Sequence, residues 1–161
     1  MKALKIVLIS VGFLLLLGIG SLMYIGANSP DTYVYVKNEI PKNYKDLLRE
    51  LSLIEADEKI QFLYSDALFS ITKGVYVLTD KHLILYSEEW LEPERIFAFE
   101  EIYFLDITYD DSFFSDSYIT VQTEYGMEII FPVSSEKQRD YEFFHYLETK
   151  VDNARSGVEF F

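Results

Sequence analysis

Residues 74–90 read GVYVLTDKHLILYSEEW, and this stretch decides the fold of the chain. Two strongly apolar runs, 75–79 and 83–87, lie on either side of a polar turn at residues 79–82. Short runs rich in Val, Ile and Tyr that flank a polar turn predict two antiparallel strands. Because both runs are apolar at consecutive positions, we expect cover on both faces of this hairpin. One face would meet the core, and the other a docked helix or another chain.

Alternation of apolar and polar side chains predicts further strands on both sides of the hairpin. They begin near Ile60, Arg95, Tyr103, Ile119 and Met127. If residues 60–72 form one bent strand, the sheet has seven strands. The regular alternation and short turns favour an antiparallel sheet with one buried face.

The hydrophobic period changes to that of a helix at two places. Pro41 opens a short amphipathic helix with apolar residues at Tyr44, Leu47, Leu48 and Leu51. After the last strand, Ser135 and Gln138 have the spacing of a capping box. The expected apolar stripe of this C-terminal helix comprises Tyr141, Phe144, Leu147 and Val151, widened by Phe143 and Tyr146. We expect that stripe to close one end of a curled sheet.

The N-terminal segment predicts a single-pass transmembrane anchor at residues 1–26. Residues 6–25 carry no charge, and a helix of about 20 residues crosses a hydrocarbon core of about 30 Å. Lys2 and Lys5 precede this run, which predicts a cytoplasmic N-terminus and an extracytoplasmic C-terminal domain. A cleaved signal peptide is the alternative, although the small residues that cleavage needs are poorly placed.

The chain then divides into four predicted regions. The anchor at 1–26 precedes a linker with the short amphipathic helix at 27–56. The folded domain covers 57–151, and a tail follows at 152–161. No internal repeat is present in the sequence.

The charge balance restricts the partners of the domain. The whole chain has a net charge of -13, and without Lys2 and Lys5 it keeps 12 basic residues against 27 acidic ones. Such a body repels nucleic-acid phosphates and anionic head groups. It suits a basic partner, although acidity also keeps a domain soluble. The absence of cysteine excludes disulfides, thiolate metal sites and a cysteine nucleophile.

The segment YVLTDKHLILY, residues 76–86, resembles the hairpin of bacterial pleckstrin-homology-like domains. Thr79, Asp80 and Lys81 match the pattern of that family, and His82 stands where Arg is usual. The segments RIFAFEEIYFLDI and FPVSSEKQRDYEFFHYL also look like the paired short strands and the final strand and helix of the family. The resemblance covers about residues 57–151. It implies a mainly β, α+β fold: a seven-stranded, partly open barrel capped by a C-terminal helix.

The same resemblance implies a binding module. Eukaryotic relatives of the fold often bind phosphoinositides through Lys and Arg in the first strand loops. The matching region here, YSDALFSITKGVY, holds Lys73 together with Asp66 and no other basic residue. This departure argues against phosphoinositide binding.

The loop DITYDDSFFSDSY, residues 106–118, contains the main candidate partner-binding residues. Its acids Asp110, Asp111 and Asp116 lack the residue order of an EF-hand, so we expect no calcium site. Phe113 and Phe114 either cover the edge of the core or form an exposed anchor for a partner. The single tryptophan, Trp90, is a further candidate anchor in the acidic loop after the hairpin.

No pattern of residues predicts catalysis, a metal or a cofactor. The two histidines, His82 and His145, belong to no metal-ligand spacing and to no catalytic triad motif. We therefore expect a membrane-anchored binding or scaffold module that presents its acidic domain to another envelope protein. The alternatives are a cytoplasmic-facing membrane scaffold or sensor and, third, an enzyme with an acidic active site.

Overall fold

The computed structural model describes residues 2–110 and 115–157, with side chains throughout except at 2–9, 24–25 and 27–28. The α-helices are α1 (Lys2–Asn28), α2 (Lys42–Glu50) and α3 (Arg139–Ser156). The strands are β1 (Tyr35–Val36), β2 (Ile60–Tyr64), β3 (Val75–Thr79), β4 (His82–Tyr86), β5 (Glu94–Ala98), β6 (Ile102–Thr108), β7 (Ser117–Thr123) and β8 (Glu128–Val133). They form a five-stranded sheet in the order β1-β2-β3-β4-β5 and a three-stranded sheet in the order β6-β7-β8, antiparallel throughout.

The central hairpin forms as predicted. Val75 pairs with Tyr86 and Leu78 pairs with Leu83. The Thr79 hydroxyl oxygen accepts the backbone N–H groups of Lys81 and His82, at 3.0 and 2.7 Å. These local hydrogen bonds close the turn with the residue type that favours such turns.

The described residues contain eight strands, whereas the sequence predicted seven. The additional strand, β1, has two residues and pairs with Phe62 and Leu63 at the edge of β2. Residues 60–72 do not form one bent strand, because β2 ends at Tyr64 and a 3₁₀ turn spans Ile71–Lys73. Ser65 holds this loop against the next strand by donating its hydroxyl to the carbonyl oxygen of Gly74, at 2.6 Å.

The core between the two sheets is rich in aromatic rings. Phe131 of β8 stacks on Tyr76 of β3, with ring centroids 5.4 Å apart, and meets Phe143 of α3 edge-on at 6.3 Å. Phe143, Leu147 and Val151 follow at intervals of four and are fully buried, so α3 closes the core as expected. Tyr141, which the predicted stripe included, is 46% exposed, and Phe143 takes its place.

The start of α3 differs from the predicted capping box. Ser135 makes no side-chain cap, and the helix begins only at Arg139. Lys137 and Gln138 both have positive φ angles near 60°, so the backbone turns sharply before the helix. Asp140 supplies a hydrogen bond inside the first turn instead: it is buried and accepts the Ser117 hydroxyl at 2.6 Å and the N–H of Tyr141 at 3.0 Å.

A second core covers the outer face of the five-stranded sheet. Leu48 of α2 and Leu53 after it pack in the same buried cluster as Val75, Val77 and Ile84 of the hairpin. All five residues of β3 are therefore buried. The predicted cover on both faces of the hairpin is confirmed, and it is the docked helix that provides the second face. The predicted limits of the linker, at 27–56, and of the domain, at 57–151, stay predictions.

The predicted transmembrane anchor is contradicted. Within the part of the chain whose side chains are described, no helix is both long enough and apolar enough to cross a membrane. The membrane contact through residues 6–25, the single-pass topology and the extracytoplasmic location fall with the anchor at 1–26.

The register of β8 generates a stability prediction. Phe131 is 2% exposed, so Phe131→Ala should lower the free energy of unfolding by about 3 to 5 kcal/mol, through lost burial and a cavity among the rings. Glu128→Ala on the exposed face of the same strand should change it by less than about 0.5 kcal/mol. Urea denaturation of the two variants measures both values. Equal losses would mean that the side chains of β8 point the other way.

Candidate binding cleft

A cleft of about 700 Å³ opens where four connecting segments meet. Its walls come from residues 30–32 after α1, residues 64–68 at the end of β2, residues 115–116 before β7 and residues 134–137 between β8 and α3. Strand ends and loops on a rigid scaffold are common places for binding residues. We refer to this opening as the acidic cleft.

Two buried tyrosines hold two carboxylates in the acidic cleft. The Tyr64 hydroxyl donates to Asp116 Oδ2 at 2.7 Å, and the Tyr76 hydroxyl donates to Asp66 Oδ2 at 3.0 Å. Tyr64 and Tyr76 are paired across β2 and β3, and their rings stack with centroids 6.2 Å apart. Tyr76 also stacks on Phe131, so the core fixes the positions of both hydroxyl groups.

Burial sets the protonation of these groups. It raises the pKa of Tyr64 and of Tyr76 far above the usual value of a phenol, so both hydroxyls remain donors at neutral pH. Burial also raises the pKa of Asp116, and the neighbouring charge of Asp66 adds to this effect. The hydrogen bond from Tyr64 opposes it. Asp116 is thus a carboxylate whose charge is only partly compensated by the protein.

The lining of the acidic cleft is predominantly negative. Asp31 and Glu136 join Asp66 and Asp116, and Lys137 is the one cationic residue among the described residues that line it. The Lys137 ammonium lies 3.3 Å from the centroid of the Tyr33 ring, in a cation–π contact. Glu136 accepts the Thr32 hydroxyl at 2.8 Å, which joins two walls of the cleft.

Gly74 provides the space that the Asp66 carboxylate occupies. A Cβ atom placed on Gly74 would overlap Asp66 Oδ1. The backbone of Gly74 is extended, with φ at 175°, so the residue is needed for its small size and not for its conformational freedom. Any side chain at this position would displace the carboxylate from the Tyr76 hydroxyl.

An apolar rim borders the acidic cleft on the β2–β3 loop. Leu68, which lines the cleft, is 74% exposed, and its neighbour Phe69 is 59% exposed. Neither residue was among the sequence-predicted site residues, and both lie in the stretch 60–72 that was considered as one possible bent strand. The sequence did contain a signal for a loop here, because Asp66 and Ser70, two polar residues typical of loops, flank this apolar pair.

The sequence-predicted site residues lie in three places. Asp116 lies in the acidic cleft, and the N–H of Asp110, close to it, donates to the Ser117 hydroxyl oxygen at 3.1 Å. Trp90 lies in the β4–β5 loop, packs against the core and has the Arg95 guanidinium 5.0 Å from its ring. Asp111, Phe113 and Phe114 lie outside the described residues. The partner-binding role of all six stays a prediction.

The two histidines lie apart from the acidic cleft. His82 Nδ1 is 2.9 Å from Glu58 Oε1, and the buried Glu58 also accepts the Thr79 hydroxyl. His145 is exposed on α3, 3.8 Å from Glu148. Over the described ranges, no group of three or more His, Asp and Glu side chains is placed to hold a metal ion.

The pair of Tyr64 and Asp116 generates a prediction on stability and pH. Because the pKa of Asp116 is raised in the folded state, its contribution to the free energy of unfolding is most favourable below pH 4. That contribution is lost as the pH rises through the raised pKa. Asp116→Asn removes this pH-dependent loss while keeping an oxygen acceptor for Tyr64. Asp116→Ala leaves the buried hydroxyl without its acceptor and should cost about 1 to 3 kcal/mol.

Thermal unfolding of both variants at pH 4 and pH 7 measures this effect. We expect Asp116→Asn to unfold at a temperature equal to or above that of the unchanged chain at pH 7, and Asp116→Ala to unfold below it at both pH values. A lower unfolding temperature for Asp116→Asn at pH 7 would show that the carboxylate charge stabilises the fold.

The chain matches no protein-family model, and no curated protein has a significantly similar sequence. The chain is similar to solved bacterial structures, including the following two. One is a DUF1696 family protein with a pleckstrin-homology domain from Shewanella loihica, with 11% identity, a TM-score of 0.52, and coverage of 75% of this chain and 99% of that one. The other is a PH-domain-containing protein from Exiguobacterium sibiricum, with 14% identity, a TM-score of 0.51, and coverage of 78% and 64%. The fold of this chain is therefore that of the bacterial pleckstrin-homology-like domains.

Proposed function

We propose that this chain is a non-enzymatic protein-binding module whose acidic cleft takes a basic, partly apolar segment of a partner protein. The observation that carries the proposal is the pair of carboxylates, Asp66 and Asp116, that two buried tyrosines hold at fixed positions in an open cleft. A preformed site loses little conformational entropy when a ligand binds. The likeness to bacterial pleckstrin-homology-like structures supports the fold of the module, whereas the kind of partner is inferred from the residues of the cleft.

The charge of the acidic cleft favours a Lys or Arg side chain as the ligand group. Among the described residues that line the cleft, there are four carboxylates and one ammonium group, which already contacts the Tyr33 ring. Burial, and to a smaller extent the charge of Asp66, raises the pKa of Asp116, and a guanidinium or ammonium of a partner would stabilise its charged form. Charges of this kind increase the association rate and specify the partner more than they increase affinity.

The apolar rim supplies the second half of the proposed contact. Leu68 and Phe69 are exposed at the edge of the acidic cleft, where an apolar side chain of the partner could be covered. Phe113 and Phe114 come shortly before Ser115 and Asp116, which line the cleft, and we propose that they add aromatic anchors to the same contact. Asp110 and Asp111 would act as charges at its margin.

Anionic ligands fit this arrangement poorly. Lys73, the basic residue of the β2–β3 loop, donates to Glu89 at 2.9 Å. Lys137 contacts Tyr33 and lies beside Glu136. A phosphate in the cleft would face the carboxylates of Asp66 and Asp116 at close range, which is unfavourable.

The first test measures the charge contribution to binding. The probe is a short peptide of Lys, Leu and Pro, in which proline prevents a helix. The double variant Asp66→Asn/Asp116→Asn should weaken its binding about tenfold and reduce the salt dependence, because both charges are lost while the tyrosine hydroxyls keep oxygen acceptors. Fluorescence anisotropy at two salt concentrations measures both effects.

The matched control is Glu92→Gln, which neutralises an exposed acid in the β4–β5 loop, away from the acidic cleft. It should leave both the affinity and its salt dependence unchanged. If the control lowers the affinity for the peptide as much as the double variant does, binding depends on net charge alone and the proposed site is disproved.

The second test concerns the two phenylalanines. If Phe113 and Phe114 are exposed anchors, replacing both with Ser should leave the melting temperature nearly unchanged and weaken binding of the same peptide by about 2 kcal/mol or more. Leu68→Ser, on the apolar rim, is the matched comparison and should also weaken binding. A large fall in melting temperature for the Phe variant would assign the two rings to the core.

A further inference from the structure

The outer face of the three-stranded sheet is a separate surface with an unusual composition. Its side chains form three rows across β6, β7 and β8 in the observed register. The rows are Phe104–Gln122–Glu128, Asp106–Thr120–Ile130 and Thr108–Tyr118–Pro132. We call these nine residues the outer sheet face.

The outer sheet face combines exposed apolar groups with carboxylates. Phe104, Tyr118 and Ile130 are 44%, 49% and 59% exposed. Asp106 and Glu128 are exposed as well, and the three described strands contain no Lys, Arg or His. Soluble surfaces usually mix both signs of charge and keep large apolar groups apart, so this composition is typical of an interaction surface.

The other sheet of the same molecule shows how such a face is covered. The outer side of the five-stranded sheet packs against α2, which places Leu48 over Val77 and Ile84. That contact buries an apolar sheet face under one short amphipathic helix. Among the described residues, no helix of the chain packs on the outer sheet face, whose three apolar side chains remain exposed.

The edges of the three-stranded sheet are poorly suited to pairing with another strand. β8 contains Pro132, which has no N–H group to donate. β6 has an irregular register between Ile102 and Phe104, and Arg155 of α3 donates to the carbonyl oxygen of Ile102 at 2.7 Å and to that of Tyr103. A partner would therefore meet this sheet on its face and not at its edge.

We propose that the outer sheet face binds an amphipathic α-helix of a partner protein that carries basic residues beside its apolar stripe. Strands about 4.8 Å apart give this three-stranded face a width of about 10 Å between the outer strand axes, which matches the diameter of one helix. The apolar stripe would cover Phe104, Tyr118 and Ile130. Lys or Arg at its border would pair with Asp106 and Glu128.

A second copy of this chain fits the face less well. A symmetric pair would place Asp106 and Glu128 of both copies in one interface without a basic residue from the sheet. The net charge of -13 adds to this repulsion. The charge of the face thus selects a basic partner over self-association.

The test uses the full chain and a synthetic helical peptide of about 14 residues, or four turns, with Leu on one face and Lys on both sides of it. A scrambled peptide of the same composition has no apolar face. Fluorescence anisotropy gives the affinity, and a benzophenone group at the centre of the peptide marks its position by crosslinking. The double variant Phe104→Ser/Ile130→Ser should weaken binding about tenfold. Because both side chains are already exposed, the variant should fold normally.

Two controls locate the effect. Leu91→Ser changes a fully exposed leucine in the β4–β5 loop, and Asp66→Asn/Asp116→Asn changes the acidic cleft. Both should leave the affinity for the helical peptide within about twofold, which is small beside the tenfold effect expected on the face. Crosslinks should map to β6, β7 and β8.

Three outcomes would overturn the proposal. The scrambled peptide could bind equally well, the cleft variant could lose binding while the face variant keeps it, or the crosslinks could lie away from β6–β8. Sedimentation velocity of the full chain provides a fourth measurement. If the chain is dimeric and Phe104→Ser/Ile130→Ser makes it monomeric, the face is an interface between copies and the proposal is disproved. If only the cleft variant loses binding of the helical peptide, the result supports the acidic cleft as the binding site. The other results leave the proposed role of the acidic cleft unchanged.

Discussion

The burial of β3 on both of its faces is the constraint on which the rest of the structure depends. Its five residues, Val75–Thr79, are all buried. Tyr76 and Leu78 point into the core between the sheets, whereas Val75 and Val77 point into the second core under α2. A strand of this kind needs a layer on each side, because an apolar face left in water loses its contribution to folding. The three-stranded sheet with α3 is one layer, and α2 with its flanking segments is the other.

The same strand also positions the acidic cleft. Tyr76 is held between Phe131 and Tyr64, and its hydroxyl reaches the edge of the core where Asp66 accepts it. The pairing of Tyr64 with Tyr76 brings a second hydroxyl beside the first, and this one reaches Asp116 from a loop 52 residues away in sequence. Core packing and the geometry of the acidic cleft therefore depend on the same two tyrosines, Tyr64 and Tyr76. A change to the ring packing would move both carboxylates.

Local sequence patterns predicted the elements of the fold and much less of the site. The hairpin, the later strands and the C-terminal helix follow from short-range periodicity, which a single segment carries by itself. Ser135 and Gln138 had the spacing of a capping box, but the chain turns through two left-handed residues before the helix, and Asp140 in its first turn accepts from the Ser117 hydroxyl and the Tyr141 N–H. Tyr141 and Phe143 could not be ranked, because the edge of a helical stripe is settled by what packs against it. Here the ring of Phe131 selects Phe143.

Only the part of the site that has a distinctive local composition could be predicted from the sequence. Asp116 was singled out for its acidic loop, whereas its contact with Tyr64 depends on the pairing of β2 with β3 and on the path of the β6–β7 connection. Leu68 and Phe69 lie in the stretch that was considered as one possible bent strand. In the structure they belong to a loop, whose start at Ser65 is joined to Gly74 by a hydrogen bond. Non-local contacts of this kind leave no periodic signal in the sequence.

The attachment of the first wall of the cleft has a consequence for its dynamics. Residues 30–32 are followed by β1, which has only two residues and pairs on one side alone. Side-chain contacts join this part of the chain to the turn before α3 and to the first residue of α3. Thr32 contacts Glu136, Lys137 contacts Tyr33, and Arg139 donates to Glu39 and to the carbonyl oxygen of Val34. The next residues along the chain are buried, Val34 in the core between the sheets and Tyr35 in the second core. Opening this wall would therefore pull Val34 and Tyr35 out of two apolar cores, so we expect residues 30–32 to keep their place for as long as both sheets stay folded.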